Sequence, residues 1–372
     1  MNGSKLVSII SQLIPDKFSC EWDNCGIQVA TDMEKQINKI LITLDVNMDI
    51  LKEAENKNCD MILSHHPLIF DSLNSITNKS LKEKIIIKAI KNDIIIYTAH
   101  TNLDIAPEGL NSYLAQKLKL QNIKPLKITD TEKLYKLIVY IPEDNLEKVR
   151  EAILDAGAGH IGNYSHTSFS IKGEGTFKPL SESNPYSGKI GEINKTNEYK
   201  WETIIKKDQI EIIKSILFKV HPYEEVAYDL YSLNNSGEKY GIGRIGDLSD
   251  RLTLENYLDL IKKKLDIDYR IKYLGNNKKE IKKVALCSGS GADFITDAKK
   301  AGADVYITGD IKFHEAQLAE AIDLPLIDAG HYDTEKVVKD FWLDKFKELV
   351  DLENEDIKLI KSQINTNPWK KY

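Results

Sequence analysis

Three short apolar runs in the first hundred residues restrict this chain more than any other feature. Residues 39–45 read Lys-Ile-Leu-Ile-Thr-Leu-Asp, residues 59–63 Cys-Asp-Met-Ile-Leu, and residues 93–99 Asp-Ile-Ile-Ile-Tyr-Thr-Ala. None alternates as a strand with one wet face does, and none is long enough for a helix. Each therefore predicts a strand buried on both faces. Between them, residues 48–57 and 81–92 carry apolar side chains at helical spacing. Strand, helix, strand, helix, strand implies right-handed crossovers and a mostly parallel sheet, hence an α/β fold. The same grammar returns in residues 283–287, 303–308 and 324–328.

Open parallel sheets place their sites beyond the carboxyl ends of strands. There the runs carry chemistry-bearing residues. The second run ends in Ser64-His65-His66-Pro67. Neighbouring side chains on extended backbone point to opposite sides, so two adjacent histidines can face two metal ions. Pro67 keeps His66 out of the helical region. The first run ends in Asp45, and the third leads into His100-Thr101-Asn102-Leu103-Asp104. Later runs end in Ser288-Gly289-Ser290-Gly291, in Gly309-Asp310 with His314 beyond, and in Gly330-His331 with Glu335 four residues on. His331 and Glu335 share one face of a helical turn. Singly, each ending also reads as a surface histidine or a helix-capping acid. Together, His65, His66, Asp104, His331 and Glu335 have the mixed nitrogen and oxygen character of a two-metal hydrolytic site. His100, Asp310 and His314 are candidates to hold a ligand or shuttle a proton. The Gly/Ser loop 288–291 reads equally as an anion-binding turn or a tight strand-to-helix turn.

Residues 127–234 follow a different grammar. Their order of strand, helix, strand, strand, helix, strand predicts a ferredoxin-like α+β module inserted into the larger domain. Its His160, His166, His221, Glu224 and Glu225 form a second candidate cluster, with no zinc-motif spacing. Residues 240–246 hold several glycines, spaced wrongly for a dinucleotide fingerprint. Trp22 reads as a lid over a pocket or as a core position, and composition favours the core.

Bulk properties narrow the function classes. A chain of 372 residues exceeds one ordinary core. With 57 acidic and 51 basic residues, its net charge of -6 disfavours nucleic acid as a partner. No apolar run approaches the roughly 20 residues that span a membrane. Residues 4–14 read as an amphipathic helix and not as a signal peptide. The four cysteines form no CxxC motif and read as free thiols of a cytoplasmic protein.

The motifs Trp22-Asp23-Asn24-x-Gly26-x-Gln28, Ser64-His65-His66-Pro67-Leu68-Ile69-Phe70, His100-Thr101-x-x-Asp104, Gly309-Asp310 with His314, and Gly330-His331-x-x-x-Glu335 run through nearly the whole chain in order. In them the chain resembles the proteins called GTP cyclohydrolase 1 type 2 homologs, the Nif-three-like or YqfO-type family. The resemblance implies two similar α/β halves, residues 1–127 and 234–372, that build one dimetal core around an inserted PII- or CutA-like domain, residues 128–233. It implies two divalent ions per chain, Zn, Mn or Fe. His66, Asp104 and Glu335 would serve one ion, and His65, His331 and the bridging Glu335 the other. It further implies a toroidal homohexamer acting on a small-molecule substrate or effector, such as a nucleotide. A metal-activated water attacking a purine ring or a similar electrophile is the expected chemistry. The alternative is a non-enzymatic metal-binding or regulatory protein whose inserted domain senses a small molecule.

Overall fold

The structure is a computed structural model that describes residues 1–353 and 356–370. The chain separates into two compact units, Met1–Thr129 with Tyr240–Tyr372, and Asp130–Lys239.

In the first unit, helix α1 (Gly3–Leu13) starts at Asn2, whose side chain accepts from the Lys5 amide at 2.8 Å. It buries Leu6, Ile9 and Ile10. Strand β1 (Gly26–Val29) follows, then β2 (Lys39–Thr43), α2 (Met48–Asn56), β3 (Met61–Ser64), α3 (Leu81–Lys91) and β4 (Ile95–Thr98). β2, β3 and β4 pair in parallel, with Thr43, Ser64 and Thr98 level with one another. Their carboxyl ends thus form one edge. β3 and β4 are buried at every position, as their unbroken apolar pattern requires. β1 closes one side of the sheet, antiparallel to β4. After β4 the chain turns at once into the short helix α4 (Thr101–Ile105), so Asp104 sits on a helical turn where the sequence had placed it in a strand's tail. Helix α5 (Leu110–Lys117) leads to β5 (Leu120–Pro142).

In the second unit, the later part of β5 is followed by α6 (Leu146–Asp155), β6 (Ser168–Phe177), β7 (Asn194–Lys206), α7 (Ile210–Val220) and the start of β8 (Tyr228–Thr253). The element order is the expected β-α-β-β-α-β. β7 lies between β5 and β6, antiparallel to both. Leu137, Val139, Val149, Ile153, Trp201, Ile213 and Leu217 make its core. Strand β6 is continuous through its two glycines, because Gly173 pairs with Glu198 and Gly175 with Thr196 without interrupting the ladder.

Residues 240–246 lie within β8, antiparallel to a later strand, and form no phosphate-binding turn. Then come α8 (Leu254–Leu265), β9 (Lys272–Leu274), β10 (Glu280–Ser290), α9 (Ile295–Lys300), β11 (Val305–Gly309), α10 (Phe313–Ala321), β12 (Leu326–Asp328), α11 (His331–Glu335) and α12 (Val338–Glu353). β10, β11 and β12 are parallel, and β8 and β9 flank them antiparallel. A strand without a sequence signal, β13 (Lys358–Lys361), returns to pair in parallel with β2. Leu6, Ile40, Leu63 and Ile95 share one hydrophobic cluster with Val284, Ile307, Phe341 and Trp342. The two chain segments of this unit therefore fold as one body, and the strand ends of both can meet. Among the described residues, no helix is long and apolar enough to cross a membrane.

Candidate metal centre

The bend after β3 is fixed by backbone bonds: the His65 and His66 amides both donate to the Leu44 carbonyl, at 3.1 and 2.9 Å. The Ser64 hydroxyl bonds to the His66 carbonyl at 3.0 Å. The two rings consequently leave β3 in fixed directions. His65 is fully buried, and its Nδ1 donates to the Ala99 carbonyl at 2.8 Å. A carbonyl can only accept, so the neutral ring presents the lone pair of Nε2. His66 Nδ1 donates to Asp45 Oδ1 at 2.7 Å, and Asp45 in turn accepts from the Thr366 hydroxyl. His331, at the start of α11, donates its Nδ1 to Asp310 Oδ2 at 2.7 Å. Three imidazoles thus commit Nδ1 to an oxygen and aim Nε2 inward, the way metal-binding histidines are oriented.

The inward nitrogens meet the carboxylate of Glu335. His66 Nε2 and His331 Nε2 lie 2.9 and 3.0 Å from Glu335 Oε2. His65 Nε2 lies 3.8 Å from Glu335 Oε1 and 3.8 Å from Asp104 Oδ1. None of these approaches has hydrogen-bond directionality. His65 Nε2 and Glu335 Oε2 are left buried without a hydrogen-bond partner. Orphaned buried polar atoms are rare and costly, and a cation between them satisfies all of them at once. His66 and His331 thus approach Glu335 Oε2, while His65 lies between Oε1 and Asp104.

Electrostatics tell the same story for the protein without metal. Burial alone would push the His66 imidazolium down, but Asp45 and Glu335 outweigh it and raise its pKa to about 10. For His331 the nearby carboxylate of Glu335 leads, outweighs burial, and raises the pKa to about 9. Burial would raise the Glu335 carboxyl, yet His331, His65 and His66 hold it well below the usual range. The pocket calls for positive charge, which protons supply when metal does not.

The bend at Gly289 makes room for Glu335. Gly289, at φ +63°, stands so close that a Cβ there would lie 2.1 Å from Glu335 Oε1. Its amide donates to Thr334 Oγ1 at 3.0 Å. The Ser288 amide donates to Asn111 Oδ1 at 2.8 Å, and the Gly291 amide to Thr308 Oγ1 at 2.8 Å. The amides of Ser288, Gly289 and Gly291 are thus engaged inside the protein, which argues against an anion-binding turn. Asp104 accepts from the Ser288 hydroxyl at 3.3 Å. The helix that carries it is held by buried Arg244, which donates to the carbonyls of Ile105, Ala106, Gly241 and Gly243 and to the Ser112 hydroxyl.

His100 joins the cluster from the other side. Its ring lies 5.2 Å from that of His65 and 5.6 Å from that of His66. Its Nδ1 donates to Asp23 Oδ1 at 2.9 Å. Asp23 also accepts from the Thr101 amide and hydroxyl and from Cys25 Sγ. Two groups of ligand atoms close enough to hold a metal ion result, His65 with His66 and His100, and His66 with His331 and Glu335. Trp22, 61% exposed, stands with its ring 6.3 Å from His100 and 6.0 Å from Phe70, which places it over the site and not in the core.

Of the other candidates, Asp310 is a positioning residue for His331. His314 is exposed on α10, where its ring bonds to Gln317 of its own helix, and it is not gathered into the cluster. In the second unit, His160 bonds to the Gly157 carbonyl, His166 to Asp155 and His221 to the Tyr140 carbonyl, so they form no common site. Sequence reasoning passed over Asp23, Gly289 and Arg244 as site residues. Their roles arise from contacts 77, 46 and 139 positions away, for which the sequence has no local signal.

The family model described as Duf34/NIF3 (NGG1p interacting factor 3) matches residues 1–368. A Bacillus subtilis protein named GTP cyclohydrolase 1 type 2 homolog is 39% identical over 369 residues, covering 99% of this chain and 98% of the relative. A protein of the same name from Halalkalibacterium halodurans is 40% identical over 368 residues, with 99% and 98% covered. The crystal structure of a Bacillus cereus protein related to NIF3 superposes with a TM-score of 0.93 at 39% identity, covering 100% of this chain and 99% of that one.

Proposed function

The chain belongs to the Duf34/NIF3 family, and from that premise and the His–Glu–Asp cluster we propose that it is a dimetal hydrolase acting on a small anionic molecule. The observation that carries the reading is the convergence of three Nδ1-anchored imidazoles on the two oxygens of one buried carboxylate. Glu335 would be shared between two divalent cations held with His65, His66, Asp104 and His331. The donor set suits Zn, Mn or Fe. Such ions supply Lewis acidity and a nucleophile from water near neutral pH.

The protein's own residues do the rest. Asp45 and Asp310 keep His66 and His331 in the tautomer that offers Nε2, and Ala99 does so for His65. His100, oriented by Asp23, is placed to take or return a proton at Nε2. A cavity of about 700 Å³ opens on His66 and His331 and is lined by Arg270 and Lys272. Its aspartates are already engaged, Asp45 and Asp310 with the histidines, Asp328 with the Gly330 amide, and Asp333 with Tyr269 and Lys336. The two cations therefore favour an anionic substrate, and the names of the relatives point to a nucleotide such as GTP. The reading includes a toroidal homohexamer with a PII- or CutA-like inserted unit, in the cytoplasm, without nucleic acid or membrane as partner.

The test is metal analysis of protein purified without chelators, followed by turnover of GTP and of simple phosphoester and amide substrates. Two divalent ions per chain with turnover is the expected result. Two ions without turnover of any of these would leave a metal-binding regulatory protein, and fewer than one ion per chain would remove the reading.

A further inference from the structure

Within Asp130–Lys239 a cleft of about 450 Å³ opens among Tyr140, Phe177, Leu180, Tyr186, Glu198 and Tyr223. It is built around one carboxylate. Glu198, on β7, lies over Gly175 of β6, where a Cβ would stand 2.3 Å from its Oε2. Any other residue at 175 would displace the acid. Glu198 Oε1 accepts from the Tyr223 hydroxyl at 2.7 Å, and no Lys, Arg or His pairs with it among the described residues. The ring of Tyr186, itself 55% exposed, packs 5.9 Å from that of Tyr223. Glu224 holds the loop over the cleft by accepting from the Asn184 amide at 2.8 Å. Glu225 adds a third carboxylate to the lining, against a single Lys178 at its rim.

We propose that this cleft binds a small organic cation, an ammonium group bearing apolar substituents, paired with Glu198 and set against the rings of Tyr186 and Tyr223. The charge balance of three carboxylates to one lysine excludes an anion. The lining has no His or Cys, Glu224 is spent on the Asn184 amide and Glu198 on the Tyr223 hydroxyl, which leaves too few hard ligands for a divalent metal. Aromatic faces and an unpaired carboxylate in a mainly apolar cleft are the combination that favours alkylated ammonium ions, through cation–π attraction and burial of their substituents. The site is separate from His65, His66 and Glu335, and its existence does not depend on whether the metal centre is catalytic.

The experiment is calorimetric titration of the full chain with choline and with spermidine, and with the neutral tert-butyl isostere of choline as control. Saturable binding at one cation per chain is expected for at least one of the two, with the isostere weaker by about tenfold or more. Glu198→Gln should weaken the cation by about tenfold and leave the isostere unchanged. Tyr223→Phe, which frees Glu198 from its hydroxyl partner, should weaken it less. Absence of saturable binding by either cation, or an isostere that binds as well as choline, would overturn the proposal without recourse to any variant. Full affinity in a folded Glu198→Gln protein, checked by its melting transition, would overturn it as well.

Discussion

At the scale of single residues, the site separates side chains that hold a cation from side chains that hold those side chains. Glu335 is the hinge of the first set, since both of its oxygens face ligand nitrogens. Glu335→Gln keeps the volume but removes the charge, and it should strip both ions while the fold survives. Metal content per chain, read beside the far-ultraviolet dichroism, checks this; two retained ions would remove the bridging role. Asp23 heads the second set. Burial alone would raise its carboxyl, but the bonds from His100, Thr101 and Cys25 outweigh burial and hold it far below its ordinary 3.8. A carboxyl depressed in the folded state stabilises above its unfolded value, and the contribution disappears as pH falls through the folded value. Asp23→Asn should therefore cost about 2 kcal/mol at neutral pH, as donors around it lose their acceptor. The difference between parent and variant should shrink once the pH is below about 3.8. Urea unfolding at pH 7 and at pH 3 measures it, and equal differences at both would show that the charge of Asp23 is immaterial.

At the scale of elements, the parallel strands were legible because β2, β3 and β4 are buried on both faces and their pattern is continuous. His65, His66, His331 and Glu335 were legible because strand ends and one helical turn are where such residues have few structural reasons to gather. What escaped were features fixed by contacts far along the chain. β13 has an ordinary Lys-Leu-Ile-Lys sequence, and only its pairing with β2 makes it a strand. Asp45, noted only at a strand end, and Asp310, a candidate to hold a ligand or shuttle a proton, take a supporting role through their bonds to Nδ1 of His66 and His331. The Ser-Gly-Ser-Gly segment read equally well as an anion loop, because nothing local says that its amides are taken by Asn111, Thr308 and Thr334. Gly289 turns that observation into a prediction. Alanine there meets a left-handed backbone, a strain of about 1 kcal/mol, and pushes on Glu335 Oε1. Gly289→Ala should lower the melting temperature by only a few degrees, the size expected of about 1 kcal/mol, yet weaken metal binding as markedly as a change of ligand. Unchanged metal content would mean that Glu335 has room the structure does not show.

At the scale of the whole molecule, every proposed ligand lies in Met1–Thr129 or Tyr240–Tyr372, and none in Asp130–Lys239. The two passages between the units run side by side: a Cβ on Gly241 would lie 2.0 Å from the Lys127 carbonyl oxygen. A short Gly-rich turn can therefore join Thr129 to Tyr240, and the shortened chain should fold and keep its metal. A metal-free or unfolded product would make the inserted unit part of the core. Assembly is the last expectation. Helix α10 buries only Ala319 and leaves Phe313 at 72% and Leu318 at 44% exposure, while Leu81 and Ile90 on α3 stand at 62% and 42%. Isolated exposed apolar residues are ordinary, but helices presenting several at once mark surfaces that another chain covers. A closed ring would cover them on every copy, and would restrict access to the metal centres to small molecules. Several buried interfaces per chain make such a ring persist on dilution. Light scattering behind size exclusion at two protein concentrations should give the mass of six chains at both. A mass of one or two chains at both would remove the ring, and with it any selection of substrate by size.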